Sequence, residues 1–358
     1  MTNGKARGGG AGTRVTATMV ARRAGVSQSA VSRTFSPGAS VAPETRERVM
    51  RVAAELGYSP NALARSLITR RSYIIGVVMA YLDNHFYPEL LERLSEKLRD
   101  HNYQVLLFTG IKQRNTDPVA EQVLQYQVDG LILASTVLSS KLAESCLSAN
   151  IPLVLLNRTT RHEASSVASR NLEGGKKIAS FLLAGGHQSF AYIAGFANSS
   201  TNEDRQRGYV ERLAEAGKVP VVVDGHYSYA GAAEAARALL TSPAPPDAIF
   251  CANDHMAFAA VDVARHELGL RIPQDVSIVG YDNAGPARWP SYDLTTIEQP
   301  IEEMAEATVE VLLGQIEATS SQTVRKTITG DLIVGSSARK PSTGLTLRAG
   351  RLIWNEDL

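Results

Sequence analysis

Polar side chains that follow apolar, strand-sized runs are the most informative chemistry in this sequence. Asp83 and Asn84 come after the run Ile74–Met79, Thr109 after Val105–Phe108, and Ser135 after Leu131–Ala134. Asn157 and Arg158 follow Leu153–Leu156, Asn253 and Asp254 follow Ile249–Ala252, and Asp282 and Asn283 follow the run that opens at Val276. Parallel sheets place ligands beyond the carboxyl ends of their strands. Hydrogen-bonding groups at so many strand ends therefore point to a cleft that takes a polar small molecule. For any one of these residues, ordinary capping or solvation of a loop is the simpler reading; the repetition carries the weight.

The second chemistry is phosphate binding. Through residue 71, twelve Lys and Arg stand against three Glu, a net +9, and the rest of the chain is −8, so the overall +1 conceals a basic head on an acidic body. That asymmetry is the footprint of a module that binds a polyanion.

Catalysis and metal binding find no support in the motifs. There is no Gly-x-Ser-x-Gly elbow, no Gly-x-x-x-x-Gly-Lys phosphate loop, no His-Glu-x-x-His and no cysteine pair at metal spacing. Gly174-Gly-Lys-Lys opens a helical stretch but lacks the upstream glycine of a phosphate loop. Neither an enzyme nor a bound cofactor or metal is expected. Cys146 and Cys251 are the two cysteines, each in an apolar setting, which suits buried free thiols in a reducing cytoplasm. No secretory core opens the chain and no apolar run approaches a membrane span, so a cytoplasmic location is expected.

These groups need elements to hold them. Residues 1–13 are Gly-rich and charged and read as a disordered arm. From Val15 to about Leu56 the apolar spacing predicts three short helices, carrying Met19, Val20 and Ala24, then Ala30, Val31 and Phe35, then Val49, Val52, Ala53 and Leu56. Gly25 supplies a turn with positive φ, Ser27 caps the second helix, Pro43 opens the third and Gly57 ends it. A helix, a glycine turn and a helix present a side-chain surface to a DNA groove. Beyond Tyr73, strand-like runs alternate with amphipathic stretches such as Glu89–Asp100, Val119–Tyr126, Arg205–Ala216 and Met256–Leu268. That alternation predicts parallel sheets covered on both faces. The span from 73 to 340 is too long for one six-stranded sheet and implies two similar α/β lobes.

The head segments Val20–Arg33, Glu44–Val49 and Glu55–Leu67 resemble the LacI/GalR family of ligand-responsive transcriptional repressors. The body is similar too, at Ile75-Gly-Val-Val, Val128-Asp-Gly-Leu-Ile-Leu, Ala252-Asn-Asp, Ile272–Asp282 and Leu294–Pro300. The resemblance covers roughly residues 15–340. It implies a small all-α helix-turn-helix head on an α/β core of two doubly wound parallel-sheet lobes, like a periplasmic binding protein. The implied plan is an arm at 1–14, the DNA-binding domain at 15–58, a hinge helix and linker at 59–72, a core at 73–340 and a tail at 341–358. Within the core, one lobe takes about 73–169 and 298–330, the other about 170–297 and 331–340.

The resemblance also implies a homodimer on a pseudo-palindromic operator in double-stranded DNA, no membrane partner, and a sugar-like effector between the lobes. Gln28, Ser29 and Arg33 match base-reading positions, Ser27 and Ser32 phosphate contacts, and Thr16, Tyr58 and Asn61 the rest of the head's contacts. Arginine can fork onto guanine and glutamine can bracket adenine, which agrees with those assignments. Pro60–Ile68 resembles the family hinge, too short to be stable alone; there Leu67 matches a wedge in the minor groove, Leu63 and Ala64 pack on the partner hinge, and Arg65 lies near the backbone. For the effector the resemblance and the strand ends together give Asp83, Phe86, Asn157, Arg158, Glu203, Arg205, Tyr227, Asn253, Asp254, Asp282 and Gln299. Phe86, Tyr227 and Trp289 are candidates for stacking on a ring.

Several positions depart from the family pattern. Phe35-Ser-Pro-Gly replaces Leu-Asn-Gly, and Ala42-Pro43 stand where a capping Ser is usual. Glu203 occupies a position often held by an Arg that binds a sugar hydroxyl or carboxylate, while Arg205 matches a second Arg. Asn157 replaces a frequent Asp, and Gly335 a frequent Arg. A transport protein of the same core fold would need an export signal and has no use for a basic head; control of the core by a protein partner is the alternative to a small effector.

Overall fold

The computed structural model describes residues 15–35, 39–59, 71–80, 82–109, 122–123, 125–134, 140–160, 163–317 and 322–356. The chain divides into two compact units, Met1–Ser72 and Tyr73–Leu358. The expected hinge, with Asn61, Leu63, Ala64, Arg65 and Leu67, lies outside the described residues, as do Ser135 and the arm.

In the first unit, helices α1 (Ala17–Ala24), α2 (Gln28–Thr34) and α3 (Pro43–Leu56) enclose a small core in which Val20, Val31 and Val49 are fully buried. The turn chemistry follows the sequence. Gly25 ends α1 at φ 64, Ser27 accepts the Ala30 amide at 3.2 Å, and Gly57 closes α3 at φ 67. Ala42 gives α3 no side-chain cap, and Pro43 starts the helix with its φ already set. Arg46 ties α3 back to the turn after α2 by donating to the Thr34 carbonyl at 2.9 Å and the Ala39 carbonyl at 3.1 Å.

The second unit holds two sheets. The first has strands β1 (Ile74–Met79), β2 (Gln104–Thr109), β3 (Gly130–Ala134), β4 (Leu153–Leu156), β5 (Ser165–Ser169) and β11 (Arg325–Ile328), ordered β11-β5-β4-β3-β1-β2 and parallel throughout. Helices α4 (Phe86–Asp100), α5 (Ser140–Ser148) and α10 (Ile301–Glu317) belong to this lobe. The second sheet is ordered β13-β14-β12-β10-β9-β8-β6-β7. Its strands β6 (Phe190–Ala194), β7 (Val221–Asp224), β8 (Ala248–Cys251), β9 (Ser277–Asp282) and β10 (Thr295–Glu298) are parallel. Around them lie α6 (Asn171–Ala184), α7 (Ser200–Glu215), α8 (Tyr229–Leu240) and α9 (Asp254–Asp262). β1, β3, β4, β8 and β9 are almost wholly buried, as expected of Val/Ile/Leu-rich strands covered on both faces.

The all-parallel expectation is met in the first lobe and modified in the second. There β12 (Leu332–Ile333) runs antiparallel to β10, and the hairpin of β13 (Leu345–Arg348) and β14 (Arg351–Trp354) continues the sheet antiparallel. Ala349 (φ 48) and Gly350 (φ 76) make the turn, the two positive φ values that a tight hairpin of the right twist demands. The sequence marks these residues as a tail whose apolar patch, Leu352-Ile-Trp, either packs on the core or is disordered; it packs on the core. Trp354 is buried, packs edge-on against Phe181 at 5.6 Å and donates from its indole N–H to the Thr343 carbonyl. Arg348 pairs with Asp331 at 3.1 Å and Arg351 with Glu298 at 2.6 Å, on two of the segments where the chain passes between the sheets.

One helix contact governs the site described next. A Cβ on Gly208 of α7 would stand 2.0 Å from the Leu172 carbonyl oxygen, and one on Gly175 of α6 would stand 2.2 Å from the Arg205 carbonyl oxygen. The backbones of α6 and α7 touch there, and only glycine permits it.

Candidate functional site

Carboxyl ends of strands from both lobes converge on one cavity of about 320 Å³, part of it open to solvent. Asn84, Tyr87, Asn157, Arg158, Thr201, Arg205, Tyr227, Asn253 and Asp282 line it.

Each wall has a local cause. Ser199 caps α7 by accepting the Asn202 amide, and the helical repeat then turns Thr201, Arg205 and Gly208 to the buried face. Asn253 caps α9 through the Met256 amide at 3.0 Å. Asn157 (φ 56), Tyr227 (φ 49) and Asp282 (φ 127) lie in the left-handed half of backbone space. Such strain in non-glycine residues gathers at functional sites, where the surrounding packing imposes it.

Arg205 is the anchor. Its Nε donates to Asn171 Oδ1 at 2.8 Å, its Nη1 to the Ala252 carbonyl at 2.6 Å, and the guanidinium carbon lies 3.5 Å from the centre of the Tyr281 ring. Nη1 is also 3.6 Å from Asp282 Oδ1. Asp282 accepts from Gln299 Nε2 at 2.6 Å and Asn84 Nδ2 at 3.2 Å, the latter a bond between lobes. Burial pushes the Asp282 carboxyl up and outweighs the opposing pull of Arg205. Asp254 is raised further, first by burial and then by the charge of Asp282, against the pull of Thr296 and the Ala284 amide.

The opposite wall is built on Arg158. It is 6% exposed, and its Nη1 donates to the Asn157 carbonyl at 2.9 Å and the Thr201 hydroxyl at 2.6 Å. Thr201 in turn lies 3.2 Å from the Tyr227 hydroxyl, and Asn157 Nδ2 donates to Tyr87 at 3.3 Å. Among the described residues, Asn157 Oδ1, Arg205 Nη2 and, beside the cavity, Gln299 Oε1 are buried without a hydrogen-bond partner. A donor and two acceptors left open at one cleft suit a ligand that both accepts and donates hydrogen bonds.

Seven of the residues expected from the sequence, Asn84, Asn157, Arg158, Arg205, Tyr227, Asn253 and Asp282, line this cavity. The others stand elsewhere. Glu203 is exposed on the outer face of α7: two residues along a helix turn by about 200°, so Glu203 and Arg205 cannot face one cleft. Phe86 is fully buried in the core of the first lobe, edge-on to Tyr87. Asp254 lies behind the wall, held by Thr296 and Ala284, and Gln299 acts through its bond to Asp282. Asp83 is 44% exposed with His255 Nε2 at 3.9 Å, and Trp289 is 54% exposed and not part of the lining. The sequence reading missed Tyr87 and Thr201. Tyr87 sits one residue beyond the chosen Phe86, and Thr201 lies one helical turn before Arg205, so helical phase was the signal that could have found both.

In the first unit, Gln28, Ser29, Ser32 and Arg33 form one exposed face of α2, with Val31 and Thr34 buried behind. Arg33 Nε donates to the Ser29 carbonyl of its own helix, and Ser27 and Ser29 share a hydrogen bond of 2.9 Å. Thr16 caps α1 through the Met19 amide, and Tyr58 is half-buried against Phe35 at 5.7 Å.

Comparison with known proteins accounts for both units. Residues 18–61 match the family described as bacterial regulatory proteins, lacI family, and residues 179–338 match the periplasmic binding protein-like domain. The ribose operon repressor of Haemophilus influenzae is 34% identical over 304 residues, covering 83% of this chain and 91% of that protein. The transcriptional regulator CelR of Thermobifida fusca is 32% identical over 335 residues, 90% of this chain and 98% of its own. The crystal structure of the lac repressor dimer bound to operator and the anti-inducer ONPF matches with a TM-score of 0.81 at 27% identity, covering 91% of this chain and 99% of that one. Sequence, fold and relatives agree: the chain belongs to the lacI family of bacterial regulatory proteins.

Proposed function

We propose that the chain is a cytoplasmic, homodimeric repressor that binds a pseudo-palindromic operator and is controlled by a small polyhydroxylated effector in the cleft between its lobes. The single observation that carries the effector is the set of open polar atoms at Asn157, Arg205 and Gln299, two of them in residues lining the cavity. Burying such atoms unpaired costs about 1–3 kcal/mol each, a cost that a ligand rich in hydroxyls would remove. A solved complex of CelR with cellobiose, 30% identical to this chain, supports a sugar in the equivalent core.

For DNA, the exposed face of α2 supports Gln28, Ser29 and Arg33 as base readers, with Ser27, Ser32, Thr16 and Tyr58 on the backbone. The crystal structure of the lac repressor dimer bound to operator supports a dimer here. Thermal-shift measurements with a panel of mono- and disaccharides, followed by operator binding with each hit, test the proposal. A hit that raises the melting temperature by mass action and changes operator affinity is expected. A protein that no sugar stabilises would sink the effector reading, and one that binds random and selected DNA equally would sink the operator.

A further inference from the structure

The cleft's charge narrows the effector class. Arg205 has its counter-ion in Asp282, 3.6 Å away. Arg158 has no carboxylate within ion-pair distance among the described residues: it acts on Asp282 only at longer range, and its hydrogen-bond acceptors are a carbonyl and a hydroxyl. A guanidinium removed from water with only neutral partners is costly. Among the described residues those two bonds use Nη1 alone, leaving the Nε and Nη2 edge of a residue that lines the cavity uncommitted. That edge presents the parallel N–H pair that fits a carboxylate or phosphate in a fork. The lining holds two guanidiniums against one carboxylate, and Asp254 behind it is held toward its neutral form by burial. The cavity is therefore net positive, at the point where the sequence has Asn157 instead of a second acid.

Resting on the proposed sugar-binding role of the cleft, we infer that the effector is an anionic sugar derivative, a sugar acid or sugar phosphate, whose charged group seats on Arg158. Its hydroxyls fall to the open atoms of Arg205 and Asn157 and to the Thr201–Tyr227 pair. Two neutral relatives of such a ligand, the free sugar and its lactone, lack the group that compensates Arg158.

The test is calorimetry on the full chain with matched series: D-glucose, D-gluconate and D-glucose 6-phosphate, and D-ribose, D-ribonate and D-ribose 5-phosphate. One anion is expected to bind about 10- to 100-fold tighter than its neutral match, the range of a charge-assisted fork. Whether it is an acid or a phosphate identifies the source of the charge. Arg158→Gln should erase that margin, Arg158→Lys should keep part of it, and the unliganded Arg158→Gln protein should melt no lower than the parent. A neutral sugar that binds as tightly as its anions overturns the charge assignment and leaves the sugar cleft standing. Failure of both series removes the sugar cleft as well. A lowered melting point in Arg158→Gln with the anion margin intact would make Arg158 a structural residue and overturn the inference.

Discussion

Arg205 and Asp282 face each other across 3.6 Å, both 2–3% exposed, and each is held by neutral side chains that leave it little freedom to turn away. Removing one member of such a buried pair strands the other, at a cost of about 3–5 kcal/mol. Asp282→Asn should lower the core's unfolding free energy by that order in urea titration. Because Asn84 of the first lobe also bonds Asp282, the same variant should weaken the lobe–lobe contact and raise hydrogen exchange around Asn84. An unchanged midpoint would show that Arg205 is satisfied without its acid.

Asp254 and His187 give the core opposite responses to pH. Asp254 is raised from 3.8 to about 8 by burial and then by Asp282. A raised acid contributes stability in full below its unfolded value and loses it as pH climbs to the folded one. His187 is lowered from 6.5 to about 4 by burial and the nearby Arg339, against Asp247. Its stability is present above pH 6.5 and lost as pH falls toward 4. Between about pH 4 and 6.5 these two slopes oppose each other and cancel, and from pH 6.5 to 8 the Asp254 loss stands alone, so thermal midpoints should decline there. Asp254→Asn should abolish that decline and uncover a loss of stability from His187 as pH falls from 6.5 toward 4, and a variant with an unaltered decline above pH 6.5 would remove Asp254 as its source.

Gly208 and Gly175 let α6 and α7 touch backbone to backbone, and Arg205 rides on that contact. Gly208→Ala would force the helices apart against the Leu172 carbonyl. Overpacking of this kind costs about 1–3 kcal/mol, read as a fall in thermal midpoint. The displacement should also weaken effector binding, since it moves the guanidinium that anchors the cleft. Retained affinity alongside lost stability would separate the two roles.

Arg33→Ala should reduce discrimination between operator and random DNA by about 1–3 kcal/mol, the worth of one bidentate base contact. Ser32→Ala should weaken both nearly equally. The logarithm of operator affinity should fall linearly with the logarithm of salt concentration, driven by the head's net +9. Competition gel shifts at several salt concentrations measure all three.

Much of this was legible in the residues. The three head helices, their glycine stops at Gly25 and Gly57 and the Ser27 cap are local chemistry, fixed within a few residues of chain. The buried parallel strands stand out because both faces must be apolar. What escaped depends on phase and on distant partners. Choosing Glu203 beside Arg205 ignored the helical repeat, and choosing Phe86 over Tyr87 put a core residue in the cleft. β5, Ser165–Ser169, carries three serines and looks like a loop until β4 and β11 flank it. The hairpin of β13 and β14 lacks a long apolar run, and its place is set by Trp354 finding Phe181, far away in sequence.

That hairpin also has a mechanical consequence. Here the arginines on either side of one tight turn grip Glu298 and Asp331, which sit on neighbouring passages between the lobes. Any bending that changes the distance between those passages must carry the hairpin along or break a pair. The hairpin thus fastens these two passages to each other through two exposed ion pairs, each worth up to about 1 kcal/mol and weakened by salt.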